Sequence, residues 1–383
     1  MLVLRHRLQF LLILTLCFVT LALIGCNGRK DEPEAQSSHV VIGMGSAPKT
    51  LDPRISTDVA SARVQQLVYS SLIKKDQKSD LVPDLAESWE MLDENSYRFK
   101  LRKNVRFHDG SDFDAKDVKA SFDAVLSEAL ASPRKSAYDK LASMVIIDPY
   151  TIDFQTTEPF APFLINMVMG ILPSEEAAKH DKEVAINPIG TGPFKVVKQH
   201  GDERIELVAH DRYFNGKPAL ETVEFRMIPD DAIRLMELEK GTIDFIENNV
   251  PIDSLPRLRQ DESLKVNTAP GTSYYYMGFN FRLEDHPTRS RNVRLALAHA
   301  LNRDLIIKHI LGGMASPAVG VLPEGHWAFN SDLQPVQFDQ EKAKQLLDAE
   351  GYTEKDGVRF TIEFKVSQNK QSRKLAEIIQ AQW

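Results

Sequence analysis

Residues 97–110 read Tyr-Arg-Phe-Lys-Leu-Arg-Lys-Asn-Val-Arg-Phe-His-Asp-Gly. Tyr97, Phe99 and Leu101 alternate with basic residues, and this period of two is typical of a strand with one buried face. Asp93-Glu94-Asn95 supplies turn residues just before the strand, so Glu90–Leu101 is predicted to form a β-hairpin. The Asp-Gly pair that ends the stretch indicates a further turn.

The flanking sequence alternates between strand and helix patterns. Asp114 is a candidate N-cap for a helix through Leu126, because Val118, Phe122 and Val125 follow at helical spacing. Further predicted elements are a hairpin of Val145–Ile147 with Thr151–Phe154, a hairpin of Phe194–Val197 with Ile205–Val208, strands at Val40–Met44, Thr222–Met227 and Thr242–Ile246, and helices at Ser61–Ser70 and Asp231–Lys240. The fold class that this alternation favours is α/β.

A second series of elements is predicted beyond Pro270-Gly271. It comprises strands at Tyr274–Phe281 and Arg359–Lys365 and helices at Val293–Leu301, Arg303–Leu311, Gln340–Glu350 and Ser372–Trp383. The last helix pattern has no C-cap signal, so we expect the fold to be incomplete at the C-terminus.

The first residues have the pattern of a bacterial targeting signal. Basic Arg5 and Arg7 precede an apolar run from Leu8 to Ile24. The run ends in Leu23-Ile24-Gly25-Cys26, which resembles the lipobox at which a signal peptide is cleaved and the new N-terminal cysteine is acylated. We therefore expect a signal peptide over 1–25 and lipidation of Cys26, which would anchor the protein to the lipid bilayer. The alternative is an uncleaved signal-anchor helix.

Residues 26–38 and the net charge restrict the class of protein further. The segment Asn27–Ser38 is polar and is expected to be a flexible tether. Cys17 and Cys26 are the two cysteines of the chain, so the mature body has no internal disulfide. A net charge of −7 and the lack of a long basic run after the signal argue against a nucleic-acid partner.

Sequence signatures of catalysis are missing. The chain has no Gly-x-Ser-x-Gly, no phosphate loop and no His-Glu-x-x-His. His108-Asp109-Gly110 is interpreted as a turn, and His286, His299, His309 and His326 show no i, i+4 pairing that would hold a metal on one helix face. We therefore expect no enzyme activity, no cofactor and no metal site.

Several longer segments together carry a family resemblance. They are Thr-Leu-Asp-Pro at 50–53, Leu-Val-Pro-Asp-Leu-Ala-Glu-Ser-Trp-Glu at 81–90, the stretch 97–110, Ala-Lys-Asp-Val-Lys-Ala-Ser-Phe at 115–122, Pro-Ile-Gly-Thr-Gly-Pro-Phe at 188–194, Gly-Phe-Asn-Phe at 278–281, and Val-Arg-Leu-Ala-Leu-Ala-His-Ala-Leu-Asn-Arg at 293–303. In order and spacing they resemble the family 5 extracellular solute-binding proteins, the dipeptide, oligopeptide and nickel group. The resemblance covers about residues 40–383.

The resemblance implies a two-lobed, periplasmic-binding-protein type II (Venus-flytrap) fold. Lobe I is expected over 39–270, with an extra subdomain at about 71–189, and lobe II over 271–383 is expected to be incomplete. The implied function is to capture peptides between the lobes and deliver them to the permease and ATPase of an ABC importer. We expect a lipid-anchored monomer in the periplasm or on the outer face of the cell membrane.

Other functions on this fold remain open. The ligand could be a nickel complex, haem or another small solute, and the protein could instead be a sensory or chaperone-like lipoprotein on this fold. Peptide is favoured because it is the commonest ligand of the family.

The candidate ligand contacts lie at two places in the chain. Ser46-Ala47-Pro48 follows the first strand, and a loop at a strand end can offer backbone donors and acceptors to a ligand. Tyr274, Tyr275 and Tyr276 could sandwich a ligand between rings and bond its polar ends. The alternative for each tyrosine is a place in the core. Trp327 is a further candidate.

Overall fold

The computed structural model describes residues 38–180, 183–248, 250–282, 284–324, 326, 328–367 and 370–383. Their contacts divide the chain into two compact units: unit 1 ends at Asn249 and unit 2 begins at Val250. The predicted lobe boundary near residue 270 falls within unit 2, because the last strand that joins the first sheet ends at Ile246. The predicted signal peptide, the predicted lipidation site and the predicted tether as far as residue 37 lie outside the described residues.

The described strands all belong to unit 1. In chain order they are β1 (His39–Met44), β2 (Ile73–Lys75), β3 (Leu81–Pro83), β4 (Ala86–Asp93), β5 (Ser96–Leu101), β6 (Leu141–Asp148), β7 (Thr151–Thr156), β8 (Phe194–His200), β9 (Arg204–Ala209), β10 (Thr222–Met227) and β11 (Phe245–Ile246).

The described helices occur in both units. In chain order they are α1 (Val59–Val68), α2 (Ala115–Leu126), α3 (Phe163–Asn166), α4 (Ser174–Ala177), α5 (Glu183–Ile186), α6 (Asp231–Glu239), α7 (Leu255–Leu258), α8 (Arg291–His299), α9 (Arg303–His309), α10 (Gln340–Ala349) and α11 (Lys370–Gln382). Single 3₁₀ turns cover Lys135–Ala137, Ile252–Ser254 and Pro287–Arg289.

A five-stranded sheet forms the base of unit 1, in the order β11-β1-β10-β9-β8. β1 pairs in parallel with β10 and β11, whereas β9 runs antiparallel to both β10 and β8. Val64 and Val68 of α1 are buried with Leu207 of β9 and Phe225 of β10, and we call this group core A. The parallel pairing of β1 with β10 requires a crossover, and the elements from α1 to β9 lie in that connection.

A four-stranded antiparallel sheet, in the order β4-β5-β7-β6, carries the second core of unit 1. Phe99 and Phe154 lie edge to face with ring centroids 5.3 Å apart, and Phe122 of α2 lies 5.4 Å from Phe154. We call this group core B; its fully buried members lie between Leu72 and Ile171, inside the predicted subdomain 71–189. Aromatic pairs in this geometry contribute about 0.5–1.5 kcal/mol beyond the area they bury.

The local predictions for unit 1 are largely confirmed. The hairpins formed by β4 with β5, β6 with β7 and β8 with β9 have the predicted turns. Asp114 is the N-cap of α2, and its side chain accepts a hydrogen bond from the backbone N–H of Lys116.

The predicted strand Thr242–Ile246 is wrong in length, since only Phe245 and Ile246 pair with β1. The backbone N–H groups of Thr242 and Ile243 instead donate to the carbonyl of Glu237 at 3.0 and 3.4 Å and close the end of α6. Backbone N–H groups that bond the last carbonyls of a helix cannot also form the hydrogen bonds of a sheet.

Unit 2 is helical in its described part. α8 packs against α10, with Val293, Ala296 and Leu297 of α8 and Ala343 of α10 buried. The predicted helices are confirmed as α8, α9, α10 and α11, each within two residues of the expected start. Arg294 on α8 donates to the carbonyl oxygens of Thr288 and Arg289, both at 2.8 Å, and so fixes the turn that precedes the helix.

The two strands predicted for unit 2, at Tyr274–Phe281 and Arg359–Lys365, are wrong. Neither segment is paired with a strand among the described residues, and both are irregular. A strand is stabilised by the hydrogen bonds of its neighbour, so an alternating pattern alone does not produce one.

Candidate functional site

The carboxyl ends of β1, β10 and β11 meet at one edge of the first sheet, because the three strands run parallel. In open α/β sheets this edge is where ligands bind. The loop Ser46-Ala47-Pro48 follows β1 there, with Ser46 exposed and the next two residues half-buried. The sheet therefore places the predicted loop at the edge that suits a ligand.

The neighbouring strand ends add polar groups to this edge. The backbone N–H of Ile228, after β10, donates to the carbonyl of Met44 at 2.7 Å and holds the two strand ends together. Asp230 then caps α6 by accepting hydrogen bonds from the N–H groups of Ala232 and Ile233, both at 2.9 Å. The edge is thus a set of short, hydrogen-bonded turns that can hold a fixed shape.

An ion pair that the sequence analysis did not predict lies beside the end of β11. Arg63 of α1 binds Glu247, which follows β11, through its Nε at 2.8 Å and its Nη2 at 2.8 Å. Asn248 next to it has a positive φ of 59° and donates to the Glu247 carboxylate. The two partners are 184 positions apart in the chain, so no local signal predicts the contact.

The segment after Pro48 is fixed by buried polar contacts. The N–H of Thr50 donates to Ser61 Oγ at 3.2 Å, and Gln65 Nε2 donates to the carbonyl of Thr50 at 3.2 Å. Asp58 caps α1: burial acts to raise its pKa, but hydrogen bonds from Ser61 outweigh that effect and lower it. The segment that follows the loop 46–48 is consequently held to α1 by hydrogen bonds.

The three predicted tyrosines lie in unit 2 and none is in the core. Tyr274, Tyr275 and Tyr276 are 48 %, 62 % and 81 % exposed. The rings of Tyr274 and Tyr276 lie close together, with centroids 5.8 Å apart. Exposed tyrosine rings suit a ligand that has both apolar and polar parts.

The remaining predicted site residues, Trp327 and the lipidation site Cys26, lie outside the described residues. Within the described ranges, no group of three or more His, Cys, Asp or Glu side chains is placed to hold a metal ion. No helix of those ranges has the length and apolarity needed to cross a bilayer.

Two surface depressions lie away from these residues. One, of about 440 Å³, lies in unit 1 beside β8 and is lined by His108, Pro188, Lys195 and Val197 among others. The other, of about 630 Å³, is an open hollow in unit 2 lined by Glu284, His286, Arg289 and Tyr352 among others. Neither includes a predicted ligand contact.

The first sheet of unit 1 is mixed, and turns lie at the ends of its parallel strands. Residues 80–383 match the family model of bacterial extracellular solute-binding proteins, family 5. The chain belongs to this family.

Similar proteins include the dipeptide-binding protein of Escherichia coli (strain K12), which is 30% identical over 91% of this chain and 70% of its own length. The oligopeptide-binding protein AppA of Bacillus subtilis (strain 168) is 29% identical over 99% of this chain and 74% of its own length.

Solved structures with the same fold include NikZ from Campylobacter jejuni in complex with Ni(L-His), with a TM-score of 0.78 and 27% identity over 90% of this chain and 71% of that one. AppA from Bacillus subtilis in complex with a nonapeptide has a TM-score of 0.75 and 29% identity over 90% of this chain and 72% of that one. These matches confirm the two-lobed α/β fold class.

Proposed function

We propose that this protein is the peptide-binding component of an ABC importer. The observation that carries the proposal is its similarity, over nine-tenths of the chain, to proteins named for dipeptide and oligopeptide binding. A peptide offers main-chain donors and acceptors, which match the turns around Ser46–Pro48, and side chains, which match the exposed rings of Tyr274 and Tyr276. The proposed activity is peptide binding alone, without a covalent step.

The proposal extends to partners and location. Cys26 is acylated and anchors a monomer to the bilayer, and the anchored protein passes its ligand to a membrane permease and its ATPase. The lipobox resemblance at Leu23–Cys26 supports the anchor.

Calorimetric titration of the full chain tests the ligand class. Dipeptides and oligopeptides should give saturable heat and raise the melting temperature, because a ligand of the native state stabilises it. Single amino acids, nickel–histidine and haem serve as competing ligands, since relatives include a nickel–histidine complex and a haem-binding protein of Haemophilus influenzae. A response to one of these and none to peptides contradicts the proposal.

The tyrosines are tested with a matched control. Tyr276→Ala should weaken peptide binding by about tenfold, the effect of losing roughly 1.4 kcal/mol of contact. Phe338→Ala removes another exposed ring of unit 2 (45 % exposed) and should leave the affinity unchanged. If the two variants changed the peptide affinity equally, Tyr276 would not be a ligand contact.

The anchor is tested separately. Cys26→Ser should abolish incorporation of labelled fatty acid and leave the precursor uncleaved. Unchanged acylation would contradict the anchor and would leave the peptide assignment intact.

A further inference from the structure

Two histidines of unit 1 share one backbone acceptor. His108 Nε2 lies 3.0 Å and His210 Nδ1 lies 3.2 Å from the carbonyl oxygen of Gly192. The two rings meet edge to face at 90°, with centroids 4.9 Å apart. His108 follows Phe107 of core B, and His210 follows Ala209 of core A. The pair therefore joins both cores to one turn, Gly190–Pro193.

The hydrogen bonds of the turn require His108 to be neutral. The backbone N–H of Gly190 donates to His108 Nδ1 at 3.3 Å, so this nitrogen must carry a lone pair. The proton of the neutral ring is then on Nε2, which donates to Gly192. A second proton, on Nδ1, would face the Gly190 N–H donor-to-donor and would break this bond.

The turn has little freedom to adapt to that loss. A Cβ atom on Gly190 would lie 2.1 Å from the carbonyl oxygen of Val68, and one on Gly192 would lie 2.4 Å from that of Leu67. The N–H of Gly192 donates to the Val68 carbonyl at 2.9 Å. Because the turn lies against the end of α1 at such short range, a displaced turn must leave α1.

The charges around the pair are mixed. Lys195 opposes a positive charge on either ring, while Asp109 near His108 and Asp211 near His210 favour one. Arg212 also opposes protonation of His210. Tyr69, the residue that follows α1, packs against Gly190, and burial raises the pKa of its phenol, so it stays neutral in acid.

We propose that His108 and His210 form an acid-sensitive latch that holds the Gly190–Pro193 turn between the two cores and releases it when His108 is protonated.

The pH range follows from linkage. Burial lowers the pKa of His108 to about 4, with smaller contributions from His210 and Lys195, although the hydrogen bond to Gly192 acts to raise it. A free imidazole has a pKa of about 6.5. The released state therefore binds the proton more tightly, and acid favours release. The latch is fully closed above pH 6.5, and it loses stability as the pH falls from 6.5 towards 4.

The experiment follows the latch in the full chain by NMR and hydrogen exchange from pH 7.5 to 4. The ¹⁵N chemical shifts of the imidazole nitrogens report the tautomer and the titration of His108. The hydrogen-exchange rates of the backbone amides report how well residues 188–194 are protected from solvent. At pH 7.5 the ring should carry its proton on Nε2. Once intrinsic exchange is corrected for, protection of the turn should fall by up to about tenfold per pH unit, the slope for one proton.

Variants separate the latch from general acid unfolding. His210→Phe keeps an aromatic ring against His108 but removes the charge that opposes protonation of His108, so the titration of His108 and the exchange midpoint should both shift to higher pH. His200→Gln removes a histidine that bonds Glu206 on the β8–β9 hairpin and should change neither. A ring proton on Nδ1 at pH 7.5, or a His108 titration with unchanged protection of the turn, would overturn the latch.

Discussion

At the scale of single residues, the most consequential contact in unit 1 is a buried ion pair. Arg54 is 0 % exposed and Asp52 is 1 % exposed, and Nη2 of the arginine lies 2.7 Å from Oδ2 of the aspartate. Arg54 Nη1 also donates to the carbonyls of Ala177 and Lys179 at 2.8 and 2.9 Å. The arginine thus joins the segment after the candidate binding loop to the end of α4.

Arg54→Met should lower the free energy of unfolding by about 3–5 kcal/mol, because it leaves the Asp52 carboxylate buried without a partner. Urea unfolding measures the loss. Changing Asp52 to Leu in the same variant should restore part of the stability, since no uncompensated charge then remains.

A surface ion pair is the control for this prediction. Lys119 and Asp123 on α2 also form an ion pair at 2.8 Å, but both side chains are exposed. Lys119→Met should change the free energy of unfolding by less than about 0.5 kcal/mol. A loss for Arg54→Met as small as that of the control would show that Asp52 reaches solvent.

Residue types alone do not reveal this pair. Arginine is almost never fully buried unless it is paired; Asp52 is two positions away, but the other acceptors of Arg54 are carbonyls more than 120 positions away. The position of Ser46–Pro48 after the first strand, by contrast, follows from the local sequence pattern alone, and its role in ligand binding stays a prediction. Arg54 and the Arg63–Glu247 pair could not be predicted in this way.

At the scale of elements, helix α2 begins with a capping box, of which the sequence predicts the N-cap residue Asp114. Asp114 accepts from the Lys116 N–H at 2.6 Å, and its own N–H donates to Asp117 Oδ2 at 2.8 Å. Asp114→Ala should cost about 1 kcal/mol of unfolding free energy, within a range of 0.5–2. Chemical denaturation followed by circular dichroism measures this cost.

Asp123→Ala, on the exposed face of the same helix, is the matched control and should cost less than about 0.5 kcal/mol. If the two aspartates proved equally important, the capping box would not stabilise α2.

Elements are predictable from sequence where their hydrogen bonds are local. The β4–β5 hairpin turns at Asp93–Asn95. The turn residues and the alternating apolar residues that predict it all lie within the hairpin itself. Tyr274–Phe281 has the same alternation, yet no strand lies beside it among the described residues. Because a distant neighbour decides whether such a segment becomes a strand, this part of unit 2 could not be predicted.

At the scale of the whole molecule, the two units differ in how much apolar surface they bury. Unit 1 has two cores, A and B, each built from sheet and helix. Unit 2 has few buried apolar side chains in its described part: Leu258, Val293, Ala296, Leu297, Ile306, Leu311 and Ala343. Burial of apolar surface is the main favourable term in folding, so the units should differ in their ability to fold alone.

Residues 38–249, expressed alone, should therefore give a folded protein with a cooperative urea transition and a near-ultraviolet circular dichroism signal from its packed aromatic rings. Residues 250–383 should show helical signal without fixed tertiary packing, because so small a core cannot offset the loss of chain entropy. A cooperative transition from residues 250–383 alone would show that the helices α8 and α10 suffice as a core.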